Sequence, residues 1–324
     1  MVSGTESQVR AFYDAKNGYL GEQSLYFNQG YWKHHPASHD AASEALAQLL
    51  AQVARIGEGD AVLDVGFGFG EQDLLWTAQC RPQRITGLNI SPRQTAIARR
   101  RVADAGLADR IDLRLGSATR MPLEGEQFDQ VVALESAHHF VTRQDFFREA
   151  YRVLRPGGRI ATTDIVCLEP QPGHLRQLAV YGILWAPNDT LIPGPNRHSR
   201  MEYAAQLRRA GFAAVRVVSV REHVYEPLVR HVARRMARGD FSWQEGFFRA
   251  APPATLLEFL NHLGYAMTYR ALAAWLQWSP ETAIRAVRAA PIDYVVATGI
   301  KPLEAALLGR EPRGPELLKR EAPV

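Results

Sequence analysis

A short apolar run that ends beside an acid and passes straight into alternating glycines constrains this chain more than any other feature. Residues 62–70 read VLDVGFGFG, with Asp64 near the end of the run and glycines at 66, 68 and 70. Glycine lets the backbone turn tightly and lets a ligand approach it closely. The helix starting near Glu71 aims its N-terminal amides back at that turn. Strands and helices then alternate. Residues 84–89, 111–115 and 128–134 predict strands two to four, with a helix over 92–105 between the first two. A helix over 144–154 is stopped by Arg155-Pro156-Gly157-Gly158, and strand five follows over 159–166. Such alternation predicts an α/β fold with a mostly parallel sheet covered on both faces.

The expected organisation is an N-terminal helical cover (1–55, with an amphipathic helix over 41–55), a cofactor-binding core (56–170), and a first cap insertion with its helix (171–212). The last strands occupy 213–302, at 213–220 and 292–300, and enclose a helical cap insertion over 222–288. A charged tail covers 303–324. The second insertion is rich in aromatics, among them Phe241, Trp243, Phe247 and Trp275. Such a cap builds both a helical core and an apolar ligand pocket. In the first insertion Tyr181 and Trp185 are the candidate substrate-binding residues.

Composition narrows the function classes. With 324 residues, 46% of them hydrophobic and 22% charged, the chain reads as an ordinary globular protein that buries a core without staples. Two cysteines give no disulfide framework and fit a reducing cytoplasm. The first residues lack the pattern of a signal peptide, and no apolar run is long enough for membrane insertion. The net charge is +4, carried by arginine rather than lysine, and the local arginine clusters at 99–101, 208–209 and 234–235 read as solvated helix faces. A nucleic-acid partner needs a stronger charge bias. His34, His35 and His39 lie close together but lack the spacing and partners of a ligand set, so no metal is expected.

The glycine turn discriminates between cofactors. A dinucleotide fingerprint, G-x-G-x-x-G, needs its third glycine at position 71, where this chain has Glu71. A carboxylate there opposes a pyrophosphate. S-adenosyl-L-methionine carries an ammonium, a carboxylate and a sulfonium but no phosphate, and it fits better. Asp64 is then expected near the ammonium or its waters. Asn89, ending the second strand, reaches the ribose, and Ser117 after the third strand reaches the adenine amino group.

Taken in order, YFNQGYW (26–32), VLDVGFGFG (62–70), GLNISPRQ (87–94), GSATRMPL (116–123), ALESAHHF (133–140), VLRPGGRIATTD (153–164) and YVVATGIKP (294–302) resemble class I S-adenosylmethionine-dependent small-molecule methyltransferases. The likeness is strongest to bacterial natural-product sugar O-methyltransferases of the erythromycin and rebeccamycin type. It covers 10–165 and the final strand and is weak over 170–290. It implies a Rossmann-like seven-stranded sheet with the last strand antiparallel. It places Asp64, Gly66 and Gly68 at the methionine end of the cofactor, Asn89 and Ile90 at the ribose and adenine, and Ser117 and Ala118 at the adenine. Leu134 and Gln94 join the cofactor set, and Tyr31 and Trp32 close over it. Asn89 stands where the family commonly has an acid, and Ser117 where it commonly has Asp.

Methyl transfer to a hydroxyl needs a base beside the sulfonium, and histidine has a suitable affinity for that proton. His138 and His139 follow the fourth strand, and Asp164 lies towards the end of the fifth. The resemblance implies His138 as base and Asp164 as its orienting partner. His139 is a second catalytic candidate, with packing beneath the cofactor as its alternative place, and which of the two histidines is the base stays open. Glu135 is a further catalytic candidate, for the cofactor ammonium or for a cation in C-methylation. The leading expectation is O-methylation of a small-molecule natural product. C-methylation of an isoprenoid or other alkene, with Arg197, Arg200 or Arg230 holding a diphosphate, and N-methylation stay open. So does a homodimer.

Overall fold

The computed structural model describes residues 4–15, 24–168, 192–238, 280–290 and 292–303. Seven strands form one sheet in the order β3-β2-β1-β4-β5-β7-β6. They are β1 (Ala61–Val65), β2 (Arg84–Asn89), β3 (Ile111–Leu115), β4 (Phe128–Leu134), β5 (Leu154–Cys167), β6 (Ala213–Ser219) and β7 (Ile292–Ile300). The first five run parallel, and β7 is antiparallel to both β5 and β6. The expected α/β class, seven-stranded sheet and antiparallel last strand are therefore the observed ones.

Helices cover both faces because β1 alternates. Val62 packs in one apolar cluster with Leu46, Leu50 and Trp76, and Leu63 and Val65 in another with Phe146, Phe147 and Tyr203. The first cluster sits under α2 (His39–Ala54), α3 (Glu71–Gln79) and α4 (Pro92–Asp104). Ser38 caps α2 by accepting from the amide of Ala41, which offsets one of the unpaired donors at a helix start. The Trp76 indole N–H donates to the carbonyl of Ala47 at 3.0 Å and ties α3 to α2. Leu46 and Leu50 are fully buried, each contributing about 1.5–3 kcal/mol by leaving water. An aspartate at position 50 would break this layer.

The second cluster sits under α5 (Arg143–Val153) and α6 (Arg200–Arg209), capped by Thr142 and Ser199. Beyond them are α1 (Gly4–Ala15), α7 (Tyr225–Ala237) and α8 (Pro280–Ala289). Glu226 of α7 joins Arg288 of α8 through a 2.7 Å ion pair. No helix among the described residues is long and apolar enough to cross a membrane. Tyr181, Trp185 and most of the aromatic second insertion lie outside the described residues.

One boundary differs from expectation. Residues 155–158 stop α5 at Val153, but they do not separate it from the strand, because β5 begins at once with Leu154 opposite Phe128. Gly157, at φ +84°, turns its amide to the carbonyl of Lys301, whose own amide donates to Gly158. A stop signal for a helix thus becomes the irregular start of a strand.

Candidate active site

The strand order reverses between β1 and β4, and ligands of open α/β sheets bind beyond the strand ends at such a point. A cavity open to solvent lies there, with about 860 Å³ of empty space including its open mouth. Its floor is the glycine turn. Gly66, at φ +90°, lies so close to the β4 end that an added Cβ would come within 2.4 Å of Ser136 Cβ. Gly68, at φ +57°, has open space, its nearest neighbour being Phe27 Cβ at 3.9 Å. Glu71 is occupied elsewhere: it accepts from the amide of Leu25 at 2.9 Å and pairs with Arg101 at 2.7 Å.

Asp64 is fully buried and is not on the cavity wall. Its Oδ2 accepts from Gln72 Nε2 at 2.9 Å, its Oδ1 has no partner, and burial pushes the carboxyl up to about 7. Gln72 stands on the wall in front of it. Asn89, Ile90, Gln94, Ala118 and Leu134 all reach the wall, as do Gly66 and Gly68. The Asn89 amide donates to Gln94 Oε1 at 2.9 Å and to the Gly68 carbonyl at 3.4 Å, stitching the β2 end to the glycine turn. Ser117 lies off the wall; its hydroxyl donates to the carboxylate of Glu6, a wall residue from α1.

At the β4 end, Glu135 is on the wall with a backbone at φ +52°. Its Oε2 accepts from the amide of Gln29 at 2.9 Å and the hydroxyl of Tyr294 at 2.7 Å. Burial pushes this carboxyl up to about 8 against those two bonds, and the charge of Asp164 adds to the rise. A 3-10 turn (Ala137–His139) follows. His139 is on the wall, and its Nε2 meets the Tyr13 hydroxyl at 2.6 Å. His138 lies one layer back, its ring centroid 3.9 Å from that of His139. Its Nδ1 lies 2.7 Å from Asp164 Oδ1. Asp164 is fully buried, which alone would raise its carboxyl, but Arg143 and His138 outweigh burial and hold it at about 2.

The structure places Tyr31 and Trp32 away from this cavity, where the family pattern had them closing over it. The amide of Tyr31 donates to Ala42, and its ring meets His223 edge-on at 5.6 Å. Trp32 packs between His39 and His231, and its indole donates to the Gln29 carbonyl. Their apolar area joins α2 to α7. Tyr13 and Phe27 take the place over the cavity, in edge-on contact at 5.7 Å.

Residues 63–162 match the model of a methyltransferase domain family. The chain is similar to the erythromycin 3''-O-methyltransferase of Saccharopolyspora erythraea, 36% identical over 281 residues, which are 86% of this chain and 85% of that protein. The chain belongs to the S-adenosylmethionine-dependent methyltransferases. This methyltransferase is also similar to the 27-O-demethylrifamycin SV methyltransferase of Amycolatopsis mediterranei, at 36% identity over 54% of this chain and 64% of that one. Its fold matches a geranyl diphosphate methyltransferase solved with geranyl diphosphate and sinefungin: TM-score 0.64 at 17% identity, over 93% of this chain and all of the other.

The wall suits the methyltransferase's cofactor, S-adenosyl-L-methionine, on chemical grounds. Among the described residues it carries two carboxylates, Glu6 and Glu135, and no lysine or arginine. Such a wall favours a ligand with an ammonium and a sulfonium over one with phosphates. Among the wall residues that escaped sequence reasoning are Glu6, Tyr13, Phe27 and Gln72. Phe27 lay inside the YFNQGYW motif, and Gln72 lies just past the last glycine of the turn. Glu6 and Tyr13 had one signal, the helical spacing of Val9 and Tyr13 in α1.

Proposed function

We propose that this methyltransferase O-methylates a hydroxyl of a small-molecule natural product, with His138 as the base. The observation that carries this reading is the His138–Asp164 contact at 2.7 Å beside the cofactor cavity. An imidazole whose Nδ1–H donates to a carboxylate presents Nε2 as the acceptor. The similarity to an enzyme named as a 3''-O-methyltransferase supports the same reading.

When bound, S-adenosylmethionine supplies a methyl group on a positively charged sulfur. Gly66, Gly68 and Gln72 would hold its methionine end, Asn89, Ile90 and Gln94 its ribose side, and Ala118 and Glu6 its adenine side. Tyr13 and Phe27 exclude water from above. His138 Nε2 takes the acceptor proton, and Asp164 keeps the imidazole in the required tautomer and stabilises its cation.

A second reading, C-methylation, draws on Glu135. Its carboxyl is on the wall, fixed by Gln29 and Tyr294, and in its ionised form it would stabilise a cationic carbon. Incubation with [13C-methyl]-labelled cofactor and a panel of glycosylated polyketides tests both readings. An O–CH3 carbon signal in the product that disappears in His138→Ala is expected. A C–CH3 signal lost in Glu135→Gln but kept in His138→Ala would replace the first reading with the second.

A further inference from the structure

Asp164 is claimed by two partners at once. Its Oδ1 accepts from His138 Nδ1 at 2.7 Å and from the amides of His138 and Ile165 at 3.1 and 2.9 Å. Its Oδ2 accepts from Arg143 Nε at 2.8 Å. The Arg143 side chain, like that of Asp164, has no exposure at all, and arginine is almost never buried unless paired.

The other donors of Arg143 are turned inward as well. Nη1 donates to the carbonyl of Asn196 and Nη2 to that of Ile165. The guanidinium lies 5.3 Å from the ring centre of Tyr203, whose hydroxyl meets Thr162 Oγ1 at 2.7 Å. Asn196 closes the arrangement. Its Oδ1 accepts from the Arg143 amide at 2.8 Å, and its Nδ2 donates to the carbonyls of His138 and Phe140. Arg143 is not on the cavity wall, so it acts on the site through Asp164.

We propose that Arg143 is a positioning residue that divides the charge of Asp164 and thereby sets the pH at which His138 gains its proton. This rests on the reading of His138 as the base. A guanidinium cannot give up its charge, so half of the carboxylate is already answered before the imidazole is protonated. His138 then orients its Nδ1–H on a carboxylate whose charge it shares with the guanidinium. The other groups facing the pair are His139 with Tyr13 behind it, Glu135 from the β4 end and Tyr203 from α6. Of these groups and Arg143, only Arg143 carries a fixed positive charge.

The test is the pH dependence of Arg143→Met. With the guanidinium gone, the charge of Asp164 falls wholly on His138. The acidic limb of kcat/KM should then move up by about one unit or more, the usual size of a close charge effect. Arg143→Lys restores a cation and should bring the limb back towards its parental position while leaving kcat lowered. A residue that only supports the fold would lower kcat at every pH and leave the limb in place. Where methionine prevents folding, Arg143→Gln drops the charge but keeps a donor, and it should shift the limb the same way.

Titration of 15N-histidine-labelled protein, with the His138 signal assigned by its loss in His138→Ala, reads the effect without turnover. The expected result is a higher His138 midpoint in Arg143→Met or Arg143→Gln. A His138 midpoint and an acidic limb that both stay at the parental pH would overturn the proposal. If His138→Ala keeps parental kcat, the base assignment fails instead, and the titration still decides the role of Arg143.

Discussion

Tyr13 and His139, 126 positions apart in the chain, share a 2.6 Å hydrogen bond between phenol oxygen and Nε2. Burial, with the charge of Glu135, raises the phenol well above its ordinary value, so it stays protonated. The bond also fastens α1 at the reacting end of the cavity. Further fastenings of α1 include Glu6 on Ser117, and Asp14, whose carboxylate accepts from the Ser91 hydroxyl at 2.5 Å and whose carbonyl accepts from Arg93 at 3.0 Å.

Tyr13→Phe keeps the ring and removes this one bond. A hydrogen bond contributes about 0.5–1.5 kcal/mol net, so release of demethylated cofactor should speed up roughly 2- to 10-fold. Stopped-flow fluorescence measures this directly. An unchanged release rate would mean that α1 takes no part in holding the cofactor.

If the acceptor is a hydroxyl, His138→Ala should lower kcat about 10²–10⁴-fold, the usual contribution of a positioned base. Calorimetric affinity for S-adenosylmethionine should barely change, since His138 is off the cofactor wall. Asp164→Asn should also lower kcat, and it leaves Arg143 buried without a counter-ion. Its kcat is therefore to be compared only in samples with parental circular dichroism. Retention of near-full activity by His138→Ala would remove it from the mechanism.

Glu135 makes the unliganded protein sensitive to rising pH. Its carboxyl is pushed up to about 8 by burial, from 4.5 when unperturbed. Between those values the folded state binds more protons than the unfolded one, so this group's contribution to stability falls as pH rises. Glu135→Gln removes that loss. The variant's gain in Tm over the parent should be larger at about pH 8.5 than at about pH 5. Differential scanning calorimetry of both proteins at both values checks the sign, and an equal gain would contradict it.

Gly66 and Gly68 both hold positive φ but differ in their surroundings. Gly66→Ala adds a methyl 2.4 Å from Ser136 Cβ and 2.7 Å from its hydroxyl, so it should lower Tm as well as cofactor affinity. Gly68→Ala meets nothing closer than 3.9 Å. Its cost is backbone strain of about 1–2 kcal/mol, and any further loss should appear in cofactor affinity. Parental cofactor affinity in Gly68→Ala would place the cofactor away from this glycine.

The sheet was legible because its signals are local: a glycine turn after an apolar strand, then regular alternation of strand and helix segments. What escaped depends on partners far away in sequence. Residues 155–158 read as a plain stop, since nothing local shows that Gly157 will bond Lys301 of the returning chain. The Tyr31-Trp32 pair read as a cofactor cover from the family resemblance, yet α7 and the turn before it claim the same surface. Asp64 was expected beside the cofactor. Instead, it points to Gln72 on α3 and leaves that amide on the wall. The His138–Asp164 pair was accessible because parallel neighbours β4 and β5 end side by side, whereas the buried Arg143 behind it left no pattern to read.

The place of β7 between β5 and β6 has a kinetic consequence. When residues 213–219 leave the ribosome, the strand they are to pair with has not yet been made, because β6 pairs with β7 and not with β5. Until β7 arrives, the long β5 is an open sheet edge, the kind of surface that pairs with other chains. Tyr294, which holds Glu135, arrives with the same strand. Closing the sheet and furnishing the reactive end of the cavity are thus one late event of high sequence separation, and such events are slow. Pulse-labelling hydrogen exchange during refolding should find β1 to β4 protected before β6. Any ligand that binds only the finished cavity would stabilise the product of that step and leave its rate unchanged.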